Sequence, residues 1–272
     1  MSQNERAEQF RELHERRECF VIPNPWDAGS AKLMAHHGFK ALATTSAGLA
    51  FSKGFRDAEG LLSIDEVLSN AADIVQATIL PVSADLENGY SNDPDQIYKT
   101  ILAAANVGLV GGSIEDTTTD AHSPIRGFSH AVDCVRAAAE ARNSLSFPFT
   151  LTARAENYLY DRPDLDDTIR RLQAFQDAGA DVLFAPGLET RDDIAAVVNS
   201  LDKPVNVVMG LQGVVLSLKD LSEIGVRRVS LGSSLSRAAF GGLLEAITEI
   251  QQHGTFTFSE RAVSFSHLNG YF

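Results

Sequence analysis

Eight short β-rich runs recur along this chain, each followed by a polar turn and then a segment of helical period, and that alternation is the sequence form of consecutive β/α units. The runs fall at residues 19–23, 41–45, 80–85, 110–115, 149–154, 182–185, 205–209 and 228–231. Between them, residues 65–76, 94–106, 131–143, 164–178 and 191–200 place apolar side chains at three- and four-residue spacings, as helices packed on the outside of a barrel do. Gly38, Gly108, Gly179 and Gly225 each stand where such a helix stops before the next strand. Eight repeats in 272 residues predict an α/β fold of the (β/α)8 TIM-barrel type, for which about 250 residues is typical. An open doubly wound sheet would put a Gly-rich dinucleotide loop after the first strand, but that place reads Pro23-Asn24-Pro25-Trp26-Asp27. No linker or composition break divides the chain. One barrel domain over residues 1–272 is therefore expected, with an N-terminal helix and a C-terminal helical and aromatic tail.

Apolar residues at 44% can fill a large core without cross-links. A net charge of -13 repels phosphate backbones and anionic membrane surfaces, so no nucleic-acid and no membrane partner is expected. Cys19 and Cys134 lie far apart without C-x-x-C spacing, which argues against a disulfide framework and a zinc ribbon and for a cytoplasmic protein. Residues 1–17 are polar rather than a signal core, and no run approaches the roughly 18 apolar residues of a membrane span.

In a barrel of this type the chemistry stands at the C-terminal ends of the strands. Those ends carry Thr44-Thr45-Ser46, then Asp85 and Glu87, Glu115 and Asp116, Arg154 and Glu156, and Asn206 within the seventh strand. Carboxylates converging on one mouth repel one another unless protonated or bridged by a cation. An oxygen-only set suits Mg²⁺, with Mn²⁺ as the other candidate, better than zinc. Each residue also has a plainer use. An acid after a strand caps a helix, Arg154 can be a structural partner for Glu156, and Ser46 to Gly48 can be only a tight turn rather than an anion-binding one. His14, His36, His37, His253 and His267 lie in helical or terminal segments without ligand spacing and are structural or exposed. His122 and His130 lie in the polar stretch 117–130, which is long enough to act as a lid or to be an ordinary solvated loop. No G-x-S-x-G elbow is present.

Several segments, in order, resemble motifs of the isocitrate lyase/phosphoenolpyruvate mutase superfamily, and the resemblance covers about residues 20–244. Asp85-Leu86-Glu87-Asn88-Gly89-Tyr90 is similar to its D-x-D-x-G-Y metal segment, Gly111-Gly112-Ser113-Ile114-Glu115-Asp116 to its G-x-x-I-E-D strand, and Ala153-Arg154-Ala155-Glu156 to its A-R-x-[DE] element. Thr45-Ser46-Ala47-Gly48 and Gly54-Phe55-Arg56-Asp57 add to the match. The resemblance implies a Mg²⁺ contacted by Asp85 and held partly through waters by Glu87 and Glu115. It implies a substrate carboxylate on Ser46, Ala47 and Gly48, a second anionic group on Arg154, and an amide contribution from Asn206. Asp57 would lie on a mobile segment near the reacting bond. Asp57, Arg154 and His122 are the candidate catalytic residues. The resemblance further implies a homotetramer, a dimer of dimers that exchanges a C-terminal helix; the tail around Phe256, Phe258, Phe265, Tyr271 and Phe272 would then pack on a partner, or else cover its own barrel.

Departures from the pattern narrow the activity. The K-K-C-G-H loop of isocitrate and methylisocitrate lyases is replaced by Thr117-Thr118-Thr119-Asp120-Ala121-His122-Ser123-Pro124, which has no catalytic thiol. Ala185-Pro186-Gly187-Leu188 stands where those lyases tend to place Glu, and Glu87 replaces the usual Asp. What the resemblance then implies is a Mg²⁺-dependent lyase or decarboxylase that cleaves a C–C bond in a small 2-oxo or 2-hydroxy acid through an enolate-like species. A phosphonopyruvate-type mutase or hydrolase and a non-catalytic 2-oxo acid binding protein are the alternatives.

Overall fold

In the computed structural model of the chain, which describes residues 1–57 and 60–272, the eight runs form eight parallel strands in one sheet ordered β1-β8-β7-β6-β5-β4-β3-β2. They are β1 Phe20–Ile22, β2 Leu42–Ala43, β3 Val82–Asp85, β4 Gly111–Glu115, β5 Thr150–Arg154, β6 Val182–Phe184, β7 Val205–Val208 and β8 Arg228–Ser230. The seam between β1 and β2 has no ladder, and the barrel is nearly closed there by single bonds. Ala43 N–H donates to Pro23 C=O at 3.1 Å. Asn24 Nδ2 donates to Thr44 C=O at 2.9 Å, and its Oδ1 accepts from the N–H groups of Leu231 and Gly232 at 2.8 and 3.0 Å.

The strands are shorter than their apolar runs because the run ends serve other purposes. Pro23 has no N–H to give a ladder. Thr44 and Thr45 leave β2 early because Thr45 caps the next helix, accepting from Gly48 N–H at 3.2 Å.

The helices are α1 Gln3–Glu15, α2 Ala28–His36, α3 Ser46–Ser52, α4 Ile64–Ala77, α5 Pro94–Asn106, α6 Phe128–Asn143, α7 Leu165–Asp177, α8 Arg191–Asn199, α9 Leu218–Ile224, α10 Ser234–His253 and α11 Phe265–Asn269. Capping boxes start α1, α2, α4 and α9. All four glycines expected to stop helices have positive φ.

Side-chain alternation divides each strand between two environments. Val82, Ala84, Ile114, Leu151, Ala153, Val205, Val207 and Val229 join the helices in the main apolar core. Their neighbours Ser83, Asp85, Ser113, Arg154, Asn206, Arg228 and Ser230 line a cavity inside the barrel instead. This interior is polar where barrels are usually filled by branched apolar layers. The end of the barrel formed by the strand N-termini is plugged by α1, whose Ala7, Phe10 and Leu13 form a separate cluster with Ile22, Ala41 and Val110. A Cβ on Gly111 would lie 2.8 Å from the Phe10 ring, so the plug requires glycine there.

Past β8 the chain leaves the barrel. Only Ser236 of α10 is buried, and Leu243, Leu244, Ile247 and Ile250 are exposed along it. Phe256 and Phe265 are exposed as well, whereas the chain end turns back onto α2, with Tyr271 4.7 Å from the His36 ring and Lys32 over Phe272. Among the described residues no helix is long and apolar enough to cross a membrane.

Candidate active site

The site grows from the end of β3. Asp85 N–H donates to Thr44 Oγ1 at 2.9 Å, and the carboxylate accepts from Ser46 Oγ at 3.0 Å. Beyond it the backbone turns sharply, with Glu87 at φ +46° and Tyr90 at φ +58°, conformations that cost free energy and gather at functional sites. Gly89 closes the turn at φ +81°; a Cβ there would stand 2.8 Å from Ile97 Cγ1. Arg126, buried on the loop before α6, clamps this turn to the end of β4. Its Nη2 donates to the carbonyls of Asn88 and Ser91 at 2.9 and 2.6 Å, and its Nη1 to that of Glu115 at 3.3 Å.

Three acids meet on one guanidinium. Arg154 Nη1 lies 3.0 Å from Asp85, Nη2 3.1 Å from Glu115, and Nε 2.7 Å from Glu156. Phe184 on the neighbouring strand stacks beneath it at 5.2 Å. Burial opposes the charge on Arg154, but Glu156, Glu115 and Asp85 more than restore it. The acids are less well served. Burial raises Glu115 despite Arg154, and it raises Glu156 to about 8. Burial, then Asp85, push Glu87 to about 7, and the Tyr90 hydroxyl, donating at 2.9 Å, only partly offsets them.

Adjacent acids take different parts. Glu115 faces the mouth and accepts from Thr117 Oγ1 at 2.8 Å. Asp116 is 2% exposed and braces the wall, accepting from Glu156 N–H at 2.9 Å and from Arg171 at 3.1 Å.

Two connected cavities share Ser46 and Arg154. The outer one, about 870 Å³, is lined by Asp57, Glu87, Glu115, Glu156 and Tyr160; the inner one, about 200 Å³, runs past Ala47 and Asp85 into the barrel to Asn206 and Arg228. A hollow of about 930 Å³ lies at the opposite end of the barrel, but it holds none of these acids. The chemistry, not the volume, locates the site.

Of the residues expected from the sequence, Ser46, Ala47, Asp57, Asp85, Glu87, Glu115, Arg154 and Asn206 therefore line the two cavities. Asn206 is pinned on both sides, accepting from Arg228 Nε at 2.8 Å and donating to Ser230 Oγ at 2.9 Å. Gly48 lies under the chain, packed where a Cβ would meet Thr45 Cγ2 at 2.6 Å. His122 is exposed on its loop and lines neither cavity, and His130 faces Cys134 on α6 at 3.9 Å. Sequence reasoning quoted Tyr90 and Thr117 only within longer motifs, without a role of their own, and passed over Arg126, Phe184 and Arg228. Arg228 carried a visible signal, a charge at the start of a β-rich run.

The donor set fits a hard cation. It is made of carboxylate oxygens backed by hydroxyls, and Glu87 bears a burial penalty that the Tyr90 hydroxyl offsets only in part. Among the described residues the three acids are not already gathered around one point, since Asp85 and Glu115 face Arg154 while Glu87 faces Tyr90. Coordination partly through water suits that spacing.

Residues 10–251 match the sequence profile of the family described as phosphoenolpyruvate phosphomutase. A crystal structure of a Burkholderia cenocepacia J2315 protein, provisionally described as a lyase/mutase, superposes with a TM-score of 0.96 at 55% identity, covering 99% of this chain and 96% of that one. A Mycobacterium tuberculosis protein named as uncharacterized is 33% identical over 82% of this chain and 81% of its own. An oxaloacetate decarboxylase of Pseudomonas paraeruginosa is 26% identical over 91% of this chain and 86% of its own.

Proposed function

The chain belongs to the phosphoenolpyruvate phosphomutase family, within the isocitrate lyase/phosphoenolpyruvate mutase superfamily of lyases and mutases, and on that premise we propose that it is a Mg²⁺-dependent lyase or decarboxylase that cleaves a C–C bond in a small 2-oxo or 2-hydroxy acid. The observation that carries the reading is the acid cluster itself: Asp85, Glu87 and Glu115 border a mouth where Arg154 is shared among Asp85, Glu115 and Glu156, beside a cavity of only about 200 Å³. Similarity to an oxaloacetate decarboxylase over most of both chains supports the substrate class.

Asp85 would contact the ion, with Glu87 and Glu115 holding it through water. Bound there, Mg²⁺ supplies Lewis-acid stabilisation of the charge that develops on the 2-oxo oxygen as the bond breaks. The protein's own groups do the remaining work. Ser46 and Ala47 border the inner cavity and orient the substrate carboxylate at the start of α3. Arg154, held in one plane by Glu156 and Phe184, presents its guanidinium to the anionic end. Asp57 and Tyr160, at the rim of the outer cavity, stand where a cover over the reacting bond would exclude water. The exposed apolar face of α10 supports exchange of that helix between neighbouring barrels in a homotetramer.

The test is to incubate the protein with Mg²⁺ and, in turn, oxaloacetate, substituted malates and phosphonopyruvate, following products by ¹H and ³¹P NMR. Pyruvate from oxaloacetate above the metal-only rate, lost in Asp85→Ala with the fold retained, is the expected result. Phosphate or phosphoenolpyruvate from phosphonopyruvate would overturn C–C cleavage in favour of P–C chemistry.

A further inference from the structure

Arg228 is 5% exposed inside the barrel, at the deep end of the inner cavity. Its partners are all neutral. Nε donates to Asn206 Oδ1 at 2.8 Å, Nη2 to Thr152 Oγ1 at 3.0 Å, and Nη1 to His14 Nε2 at 3.3 Å. His14 is itself uncharged, because burial and then Arg228 hold its pKa at about 3. Among the described residues no carboxylate pairs with Arg228, although three crowd onto Arg154 at the other end of the same cavity. The guanidinium has five N–H donors, of which these contacts use three. One N–H on each Nη remains, two donors for an anion that enters the cavity.

A buried charge without a counter-charge is expensive, and the neutral acceptors on β5, β7 and α1 supply none. From this juxtaposition of an unpaired buried guanidinium and a cavity that opens on the acid cluster, we infer that Arg228 is a second anion anchor and that the substrate is a dicarboxylate, one carboxylate held at Ser46 and Arg154 and the other reaching toward the barrel floor. The inference rests on the inner cavity being the substrate site. It divides labour between the two arginines: Arg154 is largely neutralised by its own acids, so Arg228 supplies the uncompensated charge that separates a dicarboxylate from a monocarboxylate of the same length. Asn206 acts as a positioning residue, fixing the plane of the fork through Nε.

The test uses binding rather than turnover. Isothermal titration in Mg²⁺ compares malate with 2-hydroxybutyrate and 2-oxoglutarate with 2-oxopentanoate; each pair differs only by carboxylate against methyl. The wild type should favour the dicarboxylate of at least one pair by about 10- to 100-fold, the range of a charge-assisted hydrogen-bonded contact. Arg228→Met should bring that ratio close to one, and Arg228→Lys, which keeps the charge but not the fork, should lower it several-fold; the lysine variant decides the matter if the methionine variant does not fold. A ratio near one for both pairs in the wild type overturns the inference. So does an unchanged ratio in either variant, including the case in which both affinities fall together. A high wild-type ratio lost in Arg228→Met, with no turnover of any acid in the NMR assay, would refute the lyase reading and leave this inference standing. Turnover with wild-type ratios near one would do the reverse.

Discussion

Replacing His14 with glutamine should remove an acid-sensitive point from beneath the barrel. The ring is 6% exposed and shares a bond with the Phe10 carbonyl at 2.8 Å through Nδ1. That carbonyl can only accept, so Nδ1 carries the proton and Nε2 is the bare nitrogen that accepts from Arg228. A second proton would therefore meet burial and a guanidinium together, and the pKa falls from 6.5 to about 3. The folded protein binds fewer protons than the unfolded chain between those values. The stability His14 contributes is thus complete above pH 6.5 and is lost as pH falls toward 3. At pH 5 the loss amounts to about 2 kcal/mol, 1.5 units below the unfolded value at about 1.4 kcal/mol per unit. Glutamine keeps an acceptor for Arg228 and has no proton to gain. Urea unfolding of both proteins at pH 7.5 and pH 5.0 gives the answer, because carboxylates common to both cancel in the difference. The wild type should lose about 2 kcal/mol more than His14→Gln; equal losses would refute the assignment of the buried neutral tautomer.

The acid cluster should show the opposite pH dependence. Glu87 is raised to about 7, so its stability contribution is present below 4.5 and lost as pH rises through 7, and in chelator Glu87→Gln should exceed the wild type by roughly 2–3 kcal/mol at pH 8 and match it at pH 4.5. Gly89→Ala, at φ +81° against Ile97, should cost about 2–3 kcal/mol in denaturant unfolding and slow turnover, since it disturbs the turn that carries Glu87. If α10 is exchanged in the proposed homotetramer, Leu244→Glu with Ile247→Glu, both exposed on α10, should give smaller species than the wild type in sedimentation while circular dichroism of the barrel is unchanged.

The strands were legible because period-two alternation and the glycine stops leave a local trace. The acids at the mouth were legible because strand ends are where a barrel keeps its chemistry. What stayed hidden depended on direction rather than position. Glu115 and Asp116 are neighbours in sequence and face opposite ways, one to the mouth and one into the wall; strand alternation separates them, but which of the two faces the mouth depends on the register of β4 in the barrel. Arg228 lies low in β8 instead of at its end, so a search of strand ends passes over it. Gly48, expected at the anion site, is small because Thr45 packs on it. The loop 117–130 has the length of a lid, but it reaches the site through Thr117, Thr118 and Thr119 at the outer cavity and through Arg126 holding the β3 turn, while His122 is exposed.

The missing ladder between β1 and β2 gives the barrel a preferred place to breathe. Seven strand pairs exchange whole rows of bonds, whereas this seam depends on the Ala43 amide and the Asn24 side chain. Local opening takes the route that breaks least, so among the strand amides hydrogen exchange should be fastest at Ala43, and Asn24→Ala, which removes the other bond across the seam, should quicken it further. Because Thr44 and Ser46 stand on the β2 side of that seam, each opening also loosens the hydroxyls that hold Asp85 in place.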